Sequence, residues 1–257
     1  MKQFLWIFSA ALIVLQSCKD DDVMSDVTSP KITAYETSAT NMKMSATYAY
    51  DIDNRITKIL WKRSSPYVTE GEDAFVYDDA GRLKEQMRSI TGLHNETIRY
   101  TWHDNVITAA SSYSNNKKIG FVFYEYNGAN QLISAEYYRR EGDAGFLRTD
   151  SLAITYHPDG NLLNVYKYAF DVDAQRMVLV ATQNFPEYLS SHNPLSTVEI
   201  LPNHSLQTML PKKYVSTNGT NSITYSMAYE LRADGYPAER TVTSSFGTEH
   251  TVYSYDK

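Results

Sequence analysis

The sequence predicts an all-β domain: an antiparallel meander of hairpins forming a strongly curved open or closed barrel, with a proline-rich excursion late in the chain. Three observations carry this expectation. Ile223, Tyr225, Met227, Tyr229 and Leu231 alternate with Thr224, Ser226, Ala228 and Glu230, and apolar residues at i and i+2 have the strand period, not the helix period. An aromatic-x-aromatic unit followed by a four-residue turn recurs along the chain. The copies stand 27, 25, 24 and 30 residues apart, from Tyr50 through Tyr77, Trp102 and Tyr126 to Tyr156. Each interval holds two strands and two turns, so hairpins in series give a meander of about 11–15 strands. So wide a sheet should curl or close to hide its edges.

The chain begins with an address. Residues 1–17 read as a signal peptide, with Lys2 as the positive start and Phe4 to Leu15 as the apolar segment. A helix of that length reaches about 18 Å, short of the ~30 Å hydrocarbon core of a bilayer. Leu15-Gln16-Ser17-Cys18 resembles a bacterial lipobox, with Gln16 departing from the usual small or apolar residue. That resemblance implies acylation of Cys18, each buried CH₂ contributing ~0.8 kcal/mol to a membrane anchor. The alternative is a free cysteine discarded with the signal. Lys19-Asp20-Asp21-Asp22 is a solvated acidic run. It is similar to the acidic export signal of Bacteroidota surface lipoproteins, which implies an outer-membrane protein displayed at the cell surface; the periplasmic face is the rival. Residues 18–30 are then the lipidated cysteine and a flexible acidic tether, and 31–257 a single β domain.

The hairpins follow. Tyr48-Ala49-Tyr50 precedes Asp51-Ile52-Asp53-Asn54, and Phe75-Val76-Tyr77 precedes Asp78-Asp79-Ala80-Gly81. Tyr124 to Asn130, Ile154 to Gly160 and Tyr229 to Gly235 repeat the pattern, with a short copy at Tyr100-Thr101-Trp102 and a turnless one at Tyr253-Ser254-Tyr255. The fourth turn position is always Asn or Gly, the residues that enter the left-handed region cheaply. A type I turn closed by such a residue is a favoured hairpin connection. Asp51, Asp78 and Asn127 open their turns, where a short side chain accepts backbone N–H groups.

Phe75 to Leu83 is similar to the YD repeat of Rhs-type proteins, Y-x-Y-D-x-x-G-R-L, with Phe75 replacing the first tyrosine; the chain is far too short for a toxin shell of that kind. The lipobox, the loose YD-like hairpins, Asn193-Pro194 and the block Tyr229 to Pro237 together resemble a family of uncharacterised Bacteroidota lipoproteins, a domain of unknown function described as having a porin-like fold. The resemblance spans about residues 31–257 and implies an antiparallel barrel with no catalytic residues to carry over. Lys43, Lys58, Lys62, Arg99 and Lys167 interrupt the strands. A lipid-facing wall would need an unbroken apolar band, so a lipid-anchored soluble barrel is expected.

Between Tyr156 and Leu231 the repeat fades. Tyr166 to Phe170 and Met177 to Ala181 still read as strands, but Pro186, Pro194, Pro202 and Pro211 crowd the next segment. The expectation is an irregular excursion over about 184–221, with short helical turns near Ser205–Leu210, because proline is excluded from central sheet. Its apolar residues, Tyr188 and Met209 among them, suit a plug packed on the concave face or a lid over a ligand pocket.

Function is less legible. A net charge of −6 argues against nucleic-acid binding. A single cysteine excludes an intramolecular disulfide and a thiolate metal cluster. The six histidines show no metal-ligand spacing, there is no nucleophile elbow and no phosphate loop, so no enzyme, cofactor or metal is expected; a hydrolase remains a distant alternative. Tyrosine, at 21 residues, suits strands and also stacks on sugars or acyl chains. Candidate ligand contacts are Tyr137, Tyr138, Tyr166, Tyr168, Tyr188 and Met209, with Trp61 and Trp102 as a glycan platform. Three non-catalytic functions stay open: binding a hydrophobic small molecule, binding a glycan, or a structural role at the cell surface. Oligomeric state is unreadable.

Overall fold

A computed structural model describes residues 30–64, 68–93, 95–142, 145–193 and 207–256. Sixteen strands follow in chain order: β1 (Ile32–Ala39), β2 (Met42–Tyr50), β3 (Ile56–Ser64), β4 (Val68–Tyr77), β5 (Leu83–Ile90), β6 (Glu96–His103), β7 (Val106–Ser114) and β8 (Lys117–Tyr126), then β9 (Leu132–Arg140), β10 (Phe146–Tyr156), β11 (Leu162–Asp171), β12 (Arg176–His192), β13 (Met209–Asn218), β14 (Asn221–Leu231), β15 (Pro237–Ser244) and β16 (Gly247–Tyr255). Each pairs antiparallel with its sequence neighbours, and β1 pairs with β16, so the sheet closes into a barrel. Closure removes both edges at once.

The connections alternate between two rims. One rim collects the turns at Asp51, Asp78, Asn127, His157 and Arg232. The chain also enters and leaves there: the Asp256 amide donates to the Lys31 carbonyl at 3.0 Å, and the Lys31 amide to Asp256 Oδ1 at 2.9 Å.

Those five turns share one construction. The first residue's amide donates to the carbonyl four positions on, and the fourth residue's amide donates back to the first, as in Asp78 N to Arg82 O at 2.8 Å and Gly81 N to Asp78 O at 2.9 Å. The fourth residue has positive φ in each: Asn54 65°, Gly81 76°, Asn130 57°, Gly160 86° and Gly235 82°. Asp78 Oδ1 accepts the Ala80 and Arg82 amides at 3.0 and 2.8 Å, while its Oδ2 accepts Arg82 Nε at 2.9 Å. The tyrosine before each of four turns sits at a register shift, as between Val76 and Tyr77, a bulge that tightens local twist and turns the chain inward.

Two expectations change. The strands number sixteen, above the expected range, because the irregular stretch is mostly sheet: β12 runs to His192 and β13 starts at Met209. Proline is accommodated by broken register. Pro186 falls in the shift between Asn184 and Glu187, and Pro211 pairs with Tyr188 between two further shifts. No helix occurs among the described residues, and Met209–Leu210 are strand. Residues 194–206, the remainder of the expected plug or lid, lie outside the described residues.

Candidate functional site: the barrel lumen

The lumen is closed at the turn rim by the chain's own repeat. Tyr50, Tyr77, Tyr126, Tyr156, Tyr188, Tyr229 and Tyr255 donate their hydroxyls to the carbonyls of Ile32, Ile56, Ile107, Leu132, Leu162, Pro211 and Pro237, at 2.6–2.9 Å. Trp102 supplies the missing member, its indole N–H reaching the Leu83 carbonyl at 2.7 Å. Each even-numbered strand is thereby tied to the odd-numbered strand before it. The acceptors are also a ring of buried side chains: Ile32, Ile56, Leu83, Ile107, Leu132 and Leu162 are at most 3% exposed. They and Phe185 fill this end as a core. Basic residues seal the outside of the ring, with Arg55 4.7 Å from the Tyr77 centroid and Arg232 4.5 Å from that of Tyr255, within cation–π range. Burial raises the pKa of Tyr77 to about 12, so the donors stay protonated.

Above this floor the lumen is aromatic and polar. Residues directly opposite across strands share a face, so register shows what points inward. Trp61, Asp73 and Gln86 face in beside Phe75. Asp73, 7% exposed, accepts from Trp61 Nε1 at 3.1 Å, Gln86 Nε2 at 2.7 Å and Arg88 Nε at 2.8 Å. Tyr100 continues the chain by donating to Gln86 Oε1 at 2.7 Å. A second cluster lies on β13–β16. Tyr214 and Tyr225 stack at 4.3 Å and 6°, and Phe185 stacks on Tyr214 at 5.4 Å. Arg240 donates to Glu249 Oε1 at 3.0 Å and Thr251 Oγ1 at 3.2 Å, while its buried Nε has no partner.

Toward the opposite end, among the described residues, the inner face is less completely covered. Met44, Tyr48, Ile90, Ile98, Val122, Ile223, Tyr225, Met227 and Val242 are only partly buried. Their register places them on the inner face. An inward side chain of a closed barrel meets solvent only through the lumen. Among the described residues the inner face is therefore packed at the floor and partly solvent-accessible toward the other rim.

The outer wall is different. Lys58–Glu72 and Lys62–Glu70 are cross-strand ion pairs at 3.0 and 3.2 Å, and Arg99–Glu85 is another at 3.0 Å. Lys167 faces inward, opposite Leu152 and Ala181, so it does not interrupt this wall. On β8–β10 the outer face carries Phe121, Phe123, Tyr138 and Phe146 in mutual ring contact.

The sequence-chosen residues divide between these places. Trp61 and Trp102 are inside, one bound to Asp73 and the other a floor member, so neither offers a free platform. Tyr137 faces in beside Val122 and Asp150. Tyr188 is a floor member, the sixth along the chain. Tyr138 is outside, and Tyr166 and Tyr168 face out opposite Thr182 and Leu179. The Met209 amide donates to Asn161 Oδ1 at 3.2 Å. Cys18 lies outside the described residues. Asp73, Arg88, Arg240 and the Tyr214–Tyr225 stack escaped sequence reading. The available signal was a charge on apolar parity: Asp73 alternates in step with Phe75 and Tyr77. Among the described residues no group of three or more His, Cys, Asp or Glu could hold a metal.

No protein-family model matches the chain, and no curated protein matches it. Two solved structures share the fold. A porin-like protein from Bacteroides uniformis is 14% identical, with a TM-score of 0.57 over 88% of this chain and 98% of that one. A porin-like protein from Bacteroides vulgatus is 12% identical, with a TM-score of 0.57 over 89% and 99%. At these identities the likeness is one of fold: a closed antiparallel barrel of porin-like shape.

Proposed function

We propose that the protein is a non-catalytic lipoprotein of the outer membrane, anchored through Cys18 and displayed at the cell surface, whose barrel takes a largely hydrophobic, amphipathic small molecule into its lumen. The observation that carries this reading is the inner face itself, packed by apolar side chains at the floor and lined above it by partly buried tyrosine, isoleucine, methionine and valine. Apolar walls with a few convergent polar groups are the usual make-up of a ligand pocket. Arg240 with Glu249 and Arg88 with Asp73 would meet the polar part of the ligand. Each of these acids is held by an arginine, which suits binding better than proton transfer.

Ion pairs on the outer strands support a barrel standing in water, since charges on a lipid-facing strand cost about 2–4 kcal/mol near the midplane. The chain enters at the closed rim. A tether over residues 18–30, at most about 45 Å long when extended, would join the barrel at that rim.

Native mass spectrometry on residues 23–257 tests the ligand reading. Bound mass of several hundred daltons, extractable into organic solvent and lost in Tyr225→Ala, is the expected result. A bare mass that stays bare after incubation with envelope lipid extract overturns it. The anchor is tested separately by fatty-acid labelling, which Cys18→Ser should abolish.

A further inference from the structure

We propose that the outer wall of β8–β10 is a second binding site, a platform for an acidic polysaccharide. Four aromatic side chains occupy adjacent outward positions on three consecutive strands. Phe121 and Tyr138, cross-strand partners, stack at 4.6 Å and 13°. Phe123 packs edge-on against both, at 5.1 and 5.9 Å, and Phe146 extends the cluster 5.2 Å from Phe121. Phe123 is 50% exposed. A buried aromatic cluster would be core, but this one lies on the face opposite the lumen.

The rim of the patch is cationic. Lys118 Nζ sits 4.5 Å from the Phe121 centroid and 5.7 Å from that of Phe146, and Arg140 stands 5.8 Å from Phe146. Glu136 is taken up by Arg148 at 2.7 Å and by the Tyr138 hydroxyl at 2.9 Å, while Lys118 and Arg140 beside the rings form no ion pair among the described residues. The half-exposed ring of Phe123, held edge-on by the Phe121–Tyr138 stack, would pack on the C–H face of a pyranose, and the two cations would meet uronate carboxylates. The protein as a whole carries −6, so this local positive edge is not a by-product of a basic surface.

The same observations weigh against other occupants. Burial in a bilayer would strip water from Lys118 and from the Arg148–Glu136 pair. A second copy of the chain would bring like cations together. A neutral glycan would leave Lys118 and Arg140 unused.

Titration calorimetry of the purified protein with oligogalacturonates tests the proposal, with malto-oligosaccharides as neutral probes and polyphosphate as a bare polyanion. Oligogalacturonate binding that weakens with salt is expected, with no binding of the neutral sugar. Phe123→Ala and Lys118→Ala should each weaken it by roughly 5–10-fold, while the lumen variant Tyr225→Ala leaves it unchanged; thermal melts confirm folding. The proposal fails if no oligogalacturonate binds, or if polyphosphate binds as well and Phe123→Ala changes nothing. Pelleting with phosphatidylglycerol vesicles, or a dimer that Phe123→Ala dissociates, would also overturn it by assigning the patch to a membrane or to a second copy.

Discussion

Tyr77 on β4 donates its hydroxyl to the carbonyl of Ile56 on β3 at 2.7 Å, and the guanidinium of Arg55 lies 4.7 Å from the same ring. One contact thus ties a strand to the strand before it and covers the tie from solvent. Repeated around the rim, it turns a linear repeat into a closed floor.

Tyr77→Phe should lower stability by about 1 kcal/mol, the net worth of one hydrogen bond, and Tyr77→Ala by about 3–5 kcal/mol through the added cavity. Urea midpoints with an unchanged slope would check both. A midpoint for Tyr77→Phe equal to that of the wild type would remove the hydroxyl from the account.

The same tyrosine makes alkaline stability measurable. Its pKa is pushed up to about 12 by burial, against about 10 in the unfolded chain. The folded state therefore holds the proton more tightly. Its stabilisation is complete below pH 10 and is lost as pH rises through 12. Denaturant midpoints should fall across that window, and less so in Tyr77→Phe.

Asp78 sets the opposite slope. The Arg82 amide, outweighing a smaller desolvation effect, holds its carboxyl below the usual range, helped by the Arg82 side chain and the Ala80 amide. A depressed carboxyl contributes stability above its unfolded pKa of about 3.9 and loses it as pH falls through the lower folded value. Asp78→Asn should flatten that acid limb in a pH series of thermal melts.

Gly71 lies under the Trp61 ring. A Cβ there would stand 2.4 Å from Trp61 Cζ2 and 2.6 Å from the Ser89 carbonyl oxygen. The second contact is backbone and cannot swing aside. Gly71→Ala should destabilise by about 1–3 kcal/mol and shift Trp61 fluorescence as its bond to Asp73 breaks. Normal stability with an unchanged spectrum would refute the packing described.

Asp73→Ala removes the nearer carboxylate of Arg88, with Glu96 left as its cross-strand neighbour, and strips Trp61 and Gln86 of their acceptor, a loss of about 1–3 kcal/mol. Asp73→Ala with Arg88→Met should recover part of it, since the charge that Asp73 balanced is then gone. Equal losses in the single and double variants would show that the hydrogen bonds to Trp61 and Gln86, not the ion pair, hold this wall.

Much of the architecture was legible in single residues. Tyr50, Tyr77, Trp102, Tyr126 and Tyr156 announced the hairpins, and Asn54, Gly81, Asn130, Gly160 and Gly235 announced the left-handed turn positions, because both signals are local. Tyr188 was not legible as a repeat member. Pro186 masks its strand, and no four-residue turn follows it. Leu231 looked like the closing member of its copy, yet Tyr229 makes the bond, since a hydroxyl is needed and Leu231 is 45% exposed.

The sequence by itself determined an all-β chain of tyrosine-rich hairpins and the construction of each turn. Only the tertiary structure decided that the meander closes, and which aromatics face the lumen. Period-two alternation assigns a residue to one of two faces but does not say which face is inside. Closure decides that, by joining β1 to β16 over a distance no local pattern records. That is why Trp61, Asp73 and Arg240 meet in the lumen while Phe121 and Tyr138 stack on the outside.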